Sequence, residues 1–271
     1  MINKNYYEVL YIGDNSKSVD MIQAFMGNKC LGTFFQNGTA QLYFIKGLRE
    51  EMDIQLKKLL SDKTIQWKWK TLVGEDWHLN WQDHFKPVLI ENTLAVIPPW
   101  ESEHSAAVTI RIKPGMAFGT GHHETTWLML RQLLKYLQPK MSVLDLGTGS
   151  GILSIAAKKI GACKVDAVEN DQDCETNFHE NLKLNKITTG IQLHNEDALS
   201  WNKLDYDLIL ANINSKVIEK LIPRLIAVQG IILLSGLLET DYRPIEQLCQ
   251  KYKLHIKEKM IKGEWVCLAV A

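Results

Sequence analysis

Ser142-Val143-Leu144-Asp145-Leu146-Gly147-Thr148-Gly149-Ser150-Gly151-Ile152 is the stretch whose reading decides the fold. It reads as a short buried strand, a glycine-rich turn and the start of a helix. Glycines at 147, 149 and 151 permit a tight turn and close backbone approach to a ligand. The spacing is G-x-G-x-G, not the dinucleotide G-x-G-x-x-G. Taken alone it fits a structural turn as well as a binding turn, so its surroundings must decide. Outward from it, helix and strand patterns alternate. Helices are expected at Leu128–Leu137, Ile152–Ile160, Asp173–Leu184, Val217–Leu225 and Asp241–Lys251. Strands are expected at Ser142–Leu146, Lys164–Glu169, Ile191–Asn195, Tyr206–Ala211, Gly230–Ser235, His255–Met260 and Trp265–Val270. Such alternation builds βαβ units on a mostly parallel sheet, here of seven strands. The last two strands, joined at Lys262-Gly263, form an antiparallel edge hairpin.

The polar residues at the strand ends favour the binding reading. Val165-Asp166-Ala167-Val168-Glu169 ends in a carboxylate 18 residues past Gly151. A carboxylate there can accept hydrogen bonds from ribose hydroxyls. Asn195-Glu196-Asp197 follows the third strand, where Asp197 can meet an adenine amino group. Asp207-Leu208-Ile209-Leu210-Ala211-Asn212 ends in an amide. Ligands of open α/β sheets bind at this carboxyl edge. Together these strand ends resemble those of the class I S-adenosylmethionine-dependent methyltransferases, which implies S-adenosylmethionine as cofactor.

A nearer resemblance covers almost the whole chain. Lys113-Pro114-Gly115-Met116-Ala117-Phe118-Gly119-Thr120-Gly121-His122-His123-Glu124-Thr125-Thr126 resembles the signature P-G-x-A-F-G-T-G-x-H-x-T-T of the bacterial ribosomal-protein methyltransferases of the PrmA type. Glu75-Asp76-Trp77, Trp81, Phe85 and Pro87 resemble that family's interdomain segment. Asn212-Ile213 resembles the start of its Asn-Ile-Leu-Ala motif, and Leu234-Ser235-Gly236 its fifth-strand end. The resemblance implies methylation of lysine and N-terminal amines on large-subunit ribosomal protein number eleven. It implies cofactor contacts from Thr126, Gly147, Gly149, Gly151, Glu169, Asp197 and Asn212, with Phe118 and Gly119 in a loop over the methionine end. Asn212 is also the catalytic candidate, because an amide at that edge can accept hydrogen bonds from the attacking amine. The chain departs from the family at His122, Glu124, Glu169 and Asn214-Ser215. Glu169 in place of Asp preserves an acid for the ribose; the other changes bear on substrate range. Another protein lysine or a nucleobase amine is the alternative acceptor, although Asn212-Ile213-Asn214-Ser215 lacks the Asn-Pro-Pro-aromatic pattern suited to planar amines.

Residues 1–71 read as a separate ferredoxin-like unit, β-α-β-β-α-β. The pieces are a strand at Tyr6–Ile12, a helix bearing Val19, Ile22 and Phe25, two strands around Asn37-Gly38, a helix bearing Ile54, Leu56 and Leu59, and a strand at Thr64–Thr71. This unit holds 10 Lys/Arg against 7 Asp/Glu and is the expected substrate-recognition domain. Residues 72–86 are expected to form a linker helix, with Trp77, Trp81 and Phe85 on one face. The methyltransferase domain is expected at 87–271, opening with strands at Val88–Pro98 and Ala106–Ile112.

Over the whole chain 31 Lys/Arg balance 31 Asp/Glu. That balance argues against direct nucleic-acid binding, which normally needs a basic excess. Five scattered cysteines form no CxxC pair and suit neither a disulfide framework nor a zinc site. Adjacent His122 and His123 would point to opposite faces of an extended chain, so no metal is expected. His123 is read instead as holding its loop by a hydrogen bond. The opening Met1-Ile2-Asn3-Lys4-Asn5 suggests no signal peptide, and no apolar run reaches 18 residues, so no membrane span and a cytoplasmic location are expected. A monomer is favoured.

Overall fold

In the computed structural model, residues 6–13, 30–36, 39–45, 47–59, 67–73, 85–102, 104–115 and 117–271 are described. The chain divides into two compact units, Met1–Lys86 and Pro87–Ala271. In the first, strands β1 (Tyr6–Gly13), β2 (Cys30–Gln36), β3 (Thr39–Ile45) and β4 (Trp67–Val73) form one sheet in the order β2-β3-β1-β4. Neighbouring strands are antiparallel throughout. This order is the ferredoxin-like one. Gln36 pairs with Thr39, while Asn37 and Gly38 lie outside the described residues. Leu10, Ile12, Leu42 and Phe44 alternate onto one face and pack against Met52 and Leu56 of helix α1 (Arg49–Leu59). The nearly buried Glu8 carboxylate accepts from the backbone N–H groups of Gly47 and Arg49 and so fixes the start of α1. Trp67 and Trp69 lie on the same face of β4, and both indole N–H groups donate to Asp53 Oδ1, at 3.0 and 2.7 Å. Strand β4 continues to Val73, so the first two residues of the expected linker are sheet. The helix expected around Val19–Phe25 and the Trp77–Trp81 segment lie outside the described residues.

The second unit opens with a small sheet of β5 (Val88–Ile90), β6 (Leu94–Ile97) and β7 (Val108–Arg111), in that order. The single strand expected over Val88–Pro98 is a hairpin. Glu91 and Asn92 both take positive φ, 49° and 54°, and Thr93 N–H donates to Ile90 O at 3.0 Å. Two successive left-handed residues define the tight turn that matches strand twist. The sequence hid it because Glu-Asn is not the usual Asn-Gly.

The rest of the unit runs α2 (Glu124–Tyr136), β8 (Ser142–Leu146), α3 (Ile152–Ile160), β9 (Lys164–Glu169), α4 (Asp173–Leu184), β10 (Ile191–Asn195), β11 (Leu208–Asn212), α5 (Ser215–Leu221), β12 (Ile231–Leu238), α6 (Tyr242–Lys251), β13 (Ile256–Lys262) and β14 (Trp265–Val270). The seven-stranded sheet has the order β10-β9-β8-β11-β12-β14-β13. It is parallel except where β14 pairs antiparallel with β12 and β13. It is the expected Rossmann-like sheet with an antiparallel edge hairpin. Both faces are buried. Val143, Leu208, Leu210 and Leu233 meet α2 and α3, while Leu144, Leu146, Ile209, Ala211 and Ile232 join the opposite core. Such two-sided burial explains the unbroken apolar runs.

Boundaries differ where side chains act locally. β11 starts at Leu208, because Tyr206 is diverted to donate its hydroxyl to Asp166 Oδ2 at 2.7 Å. Asn214 caps α5 by accepting from Val217 N–H at 3.1 Å, so the helix begins two residues early. It ends at Leu221, where Pro223 sits in a following 3₁₀ segment, Ile222–Ala227.

Asp53 supports two indoles at once. Asp53→Ala should destabilise the first unit by about 2 kcal/mol, since half-buried donors lose a charged acceptor. Urea unfolding and hydrogen exchange would show the loss confined to amides of β1, β3 and β4. Equal protection there in the variant would contradict it.

Candidate active site at the carboxyl edge of the sheet

From β8 the chain winds to β9 and β10 on one side, and to β11 and β12 on the other. Order therefore reverses between β8 and β11. In open α/β sheets the ligand crevice lies beyond the strand ends at such a reversal. The glycine-rich turn occupies this place. Gly149 has φ 53° and Gly151 has φ 82°, left-handed values costly for residues with a Cβ. Space is equally restrictive. A Cβ on Gly149 would stand 2.6 Å from Phe118 O, and one on Gly151 2.7 Å from the Phe178 ring. Gly147 faces the Ile213 side chain. The glycines thus serve close chain packing as well as any ligand, so the two readings of the motif are not exclusive.

Three of the expected residues converge on this turn. Ser150 N–H donates to Phe118 O at 2.9 Å, and Ser150 Oγ donates to Gly119 O at 2.6 Å. The Phe118–Gly119 loop therefore lies on the glycine turn, with the Phe118 ring more than half exposed. Glu169, at the end of β9, accepts from Gly149 N–H at 2.9 Å through Oε2. Its Oε1 accepts from Asn170 and Asp171 N–H at 3.0 and 3.1 Å. Three donors leave about one of a carboxylate's four lone-pair positions for a further partner. A shallow recess beside it is lined by Gly149, Glu169, Asp171, Leu193 and Asn195.

The other expected residues stand separately along the same edge. Asn212 ends β11 opposite Ser235 of β12, and its Oδ1 is buried with no hydrogen-bond partner. Thr126, in the first turn of α2, is fully buried, and its Oγ1 likewise lacks a partner. Asp197 follows β10 and is exposed. Its Oδ1 accepts from Leu199 N–H at 2.8 Å and shapes its own turn. Arg224 holds that turn from the other side, donating to the carbonyls of Ala198, Leu199 and Trp201.

His123 caps α2, with its ring nitrogen accepting from Thr125 N–H at 3.2 Å. It also meets Phe118 and Trp265 edge-on, with ring centres 5.3 and 4.8 Å apart. Nδ1 thus bonds within its own helix, and the ring also touches the loop at Phe118. Among the described residues, no group of three His, Cys, Asp or Glu could hold a metal ion.

One acidic residue went unread in the sequence. Asp145 is fully buried at the penultimate position of β8. Its Oδ2 accepts from Thr148 Oγ and Ser154 Oγ, both at 2.6 Å, while Oδ1 has no partner. Burial raises its pKa to about 6, against the two hydroxyl bonds and with help from the Glu169 charge. The signal was available: an acid inside an apolar strand, followed by Thr at three positions and Ser at nine.

The family described as "Ribosomal protein L11 methyltransferase (PrmA)" matches residues 14–271. A "Ribosomal protein L11 methyltransferase" from Listeria monocytogenes is 38% identical over 201 residues, which are 72% of this chain and 64% of that protein. This chain thus spans less than two thirds of that relative's length. A protein of the same description from Prochlorococcus marinus is 32% identical, covering 95% of this chain and 89% of its own length. A crystal structure titled as a ribosomal protein L11 methylase, from Lactobacillus delbrueckii subsp. bulgaricus, superposes with TM-score 0.65 at 34% identity over 69% of this chain and 98% of that one. No helix among the described residues is long and apolar enough to cross a membrane.

The position of Asp145 sets a pH dependence. Its folded pKa lies above its ordinary 3.8, at about 6. Between these values the folded protein holds a proton that the unfolded chain has released, so this group's contribution to stability falls as pH rises. The full effect is on the order of 3 kcal/mol. Urea denaturation from pH 4 to 7 should show a decline that Asp145→Asn abolishes. An identical slope in the variant would contradict it.

Proposed function

The chain belongs to the ribosomal protein L11 methyltransferase (PrmA) family, and from that premise we propose that it transfers methyl groups from S-adenosylmethionine to lysine and N-terminal amines of ribosomal protein L11. The observation that carries this reading is Asn212, an amide at the order-reversal edge whose buried oxygen has no hydrogen-bond donor. An unmatched buried polar atom costs about 1–3 kcal/mol, so its retention needs a use. Thr126 Oγ1 is in the same state. These two groups, the glycine turn and Glu169 fit a nucleoside bearing a polar amino-acid arm. Gly147, Gly149 and Gly151 would line it, Glu169 would take the ribose, and Asp197 the adenine. Thr126, Phe118 and Gly119 would border the methionine end.

When bound, S-adenosylmethionine supplies an electrophilic sulfonium methyl. The protein's task is to present a neutral amine in line with it. A lysine amine has an ordinary pKa of about 10.4, and desolvation favours its neutral form. Asn212 Oδ1 accepts a hydrogen bond from the amine N–H and thereby aims the nitrogen lone pair. Positioning of this kind supplies most of the rate for such transfers, and the reading needs no dedicated general base.

Residues 1–71 are assigned to substrate recognition, 72–86 to the link and 87–271 to methyl transfer. A protein rather than a nucleic-acid substrate accords with the zero net charge.

Transfer of labelled methyl from S-adenosylmethionine to purified ribosomal protein L11 tests the proposal, and absence of transfer by folded protein would defeat it. Asn212→Ala should lower kcat by about 10²–10³, the scale for one preorganised polar contact, with a smaller change in cofactor affinity. If only affinity changes, Asn212 is a cofactor contact alone. Glu169→Ala should weaken cofactor binding by about 1.5–3 kcal/mol in a calorimetric titration. Unchanged affinity would remove Glu169 from the site.

A further inference from the structure

Helix α4 carries Asn177 and Asn181 and is capped at its C-terminus by Asn185, a four-residue spacing that puts the three on one side. All three are buried and bond to the segment that leads from β7 toward the Phe118 loop. Asn185 pairs with Arg111 as a neighbouring strand would: its Oδ1 accepts from Arg111 N–H at 2.9 Å and its Nδ2 donates to Arg111 O at 2.6 Å. Two residues on, Asn181 Oδ1 accepts from Lys113 N–H at 2.8 Å, and Asn177 Nδ2 donates to Lys113 O at 3.1 Å. The segment therefore has its backbone satisfied by a ladder of side-chain amides.

Asn181 differs from its neighbours in reaching a second element. Its Nδ2 donates to Ser150 O, in the glycine-rich turn, at 2.9 Å. The same Ser150 holds Phe118 O and Gly119 O through its N–H and hydroxyl. Leading segment, loop and turn thus close a circuit through one amide that is 0% exposed, where water does not compete for its bonds.

We propose that Asn181 is a positioning residue: its buried amide locks the Lys113 segment to the glycine-rich turn, and cofactor affinity depends on that lock. The proposal rests on the methyl-transfer reading above for its ligand. It acts without contact to the cofactor, by fixing Ser150 and hence the Phe118–Gly119 loop against Gly149. Asn185 supplies a control. It caps the same helix and bonds the same segment, with its Nδ2 also donating to Asn181 O at 2.8 Å, but it does not touch the turn.

The test compares Asn181→Asp with Asn185→Asp. Asn181→Asp keeps an acceptor for Lys113 N–H but turns an oxygen toward Ser150 O. Asn185→Asp inflicts the same change on the Arg111 pairing. Both should lower Tm by a few degrees. Only Asn181→Asp should raise the S-adenosylmethionine Kd, by about tenfold, as for loss of a buried hydrogen bond. Only Asn181→Asp should speed hydrogen exchange at the Ser150 amide, which is read without ligand. Asn181→Ser, which removes both bonds without adding charge, should give the same split. Equal Kd increases in the two aspartate variants would reduce the ladder to general packing and overturn the proposal. So would an unchanged Kd, or unchanged Ser150 exchange, in Asn181→Asp. If wild-type protein bound no S-adenosylmethionine, the methyl-transfer reading would fall, while Ser150 exchange would still report whether the lock exists.

Discussion

The left-handed backbone at Gly149 and Gly151 is the constraint on which the rest of the site depends. A sheet strand enters and a helix leaves within six residues, and neither glycine has room for a Cβ. Because the turn is so closely packed, its polar groups fall where they can be used by other elements. Gly149 N–H meets Glu169 from β9, Ser150 meets the Phe118 loop, and Gly151 meets Phe178 of α4. The carboxyl edge is thus a meeting of four segments, held where side chains and carbonyls from the other three close on the turn.

Electrostatics divides the acids of the sheet by depth and partner. Burial pushes Asp145 up to about 6, since two neutral hydroxyls do not compensate for lost water. Burial pushes Asp166 up as well, but bonds from Lys164, Tyr206 and His194 outweigh it and hold the group near 2. Asp166 is therefore a structural anchor that fixes β9 to β10 and to the approach to β11. Asp145 is left with an unmatched oxygen beneath the turn, close enough to Glu169 to feel its charge. An uncompensated carboxyl at that depth is a cost borne directly beneath the turn assigned to binding.

Much of this was legible in the sequence. Ser142–Leu146, Ile152–Ile160, Lys164–Glu169, Asp173–Leu184 and Ile191–Asn195 have the bounds that periodicity and glycine placement predict. The strand ends that carry Glu169 and Asn212 followed from them. What escaped depends on contacts distant in sequence or on caps with unusual residues. The Glu91-Asn92 turn lacks glycine, and His123 caps a helix in place of Ser or Asp. Asn214, a departure from the resembling motif, is a helix cap, so its first role is local. The asparagines of α4 look like polar surface in sequence. Their partners at Arg111, Lys113 and Ser150 lie 31 to 74 residues away, and no periodicity reports that.

The most direct test of the central claim is the affinity of S-adenosylmethionine for wild-type protein and for Gly149→Ala, measured by calorimetry on samples whose folding is verified by hydrogen exchange in β8 to β12. A methyl at 149 must displace Phe118 O or change the backbone from its left-handed state. If the geometry of this turn holds the cofactor edge together, the wild type binds and the folded variant loses at least about tenfold in affinity, the equivalent of 1.4 kcal/mol. Equal affinity in a folded Gly149→Ala would contradict the account, because the cofactor would then be bound by something other than this turn.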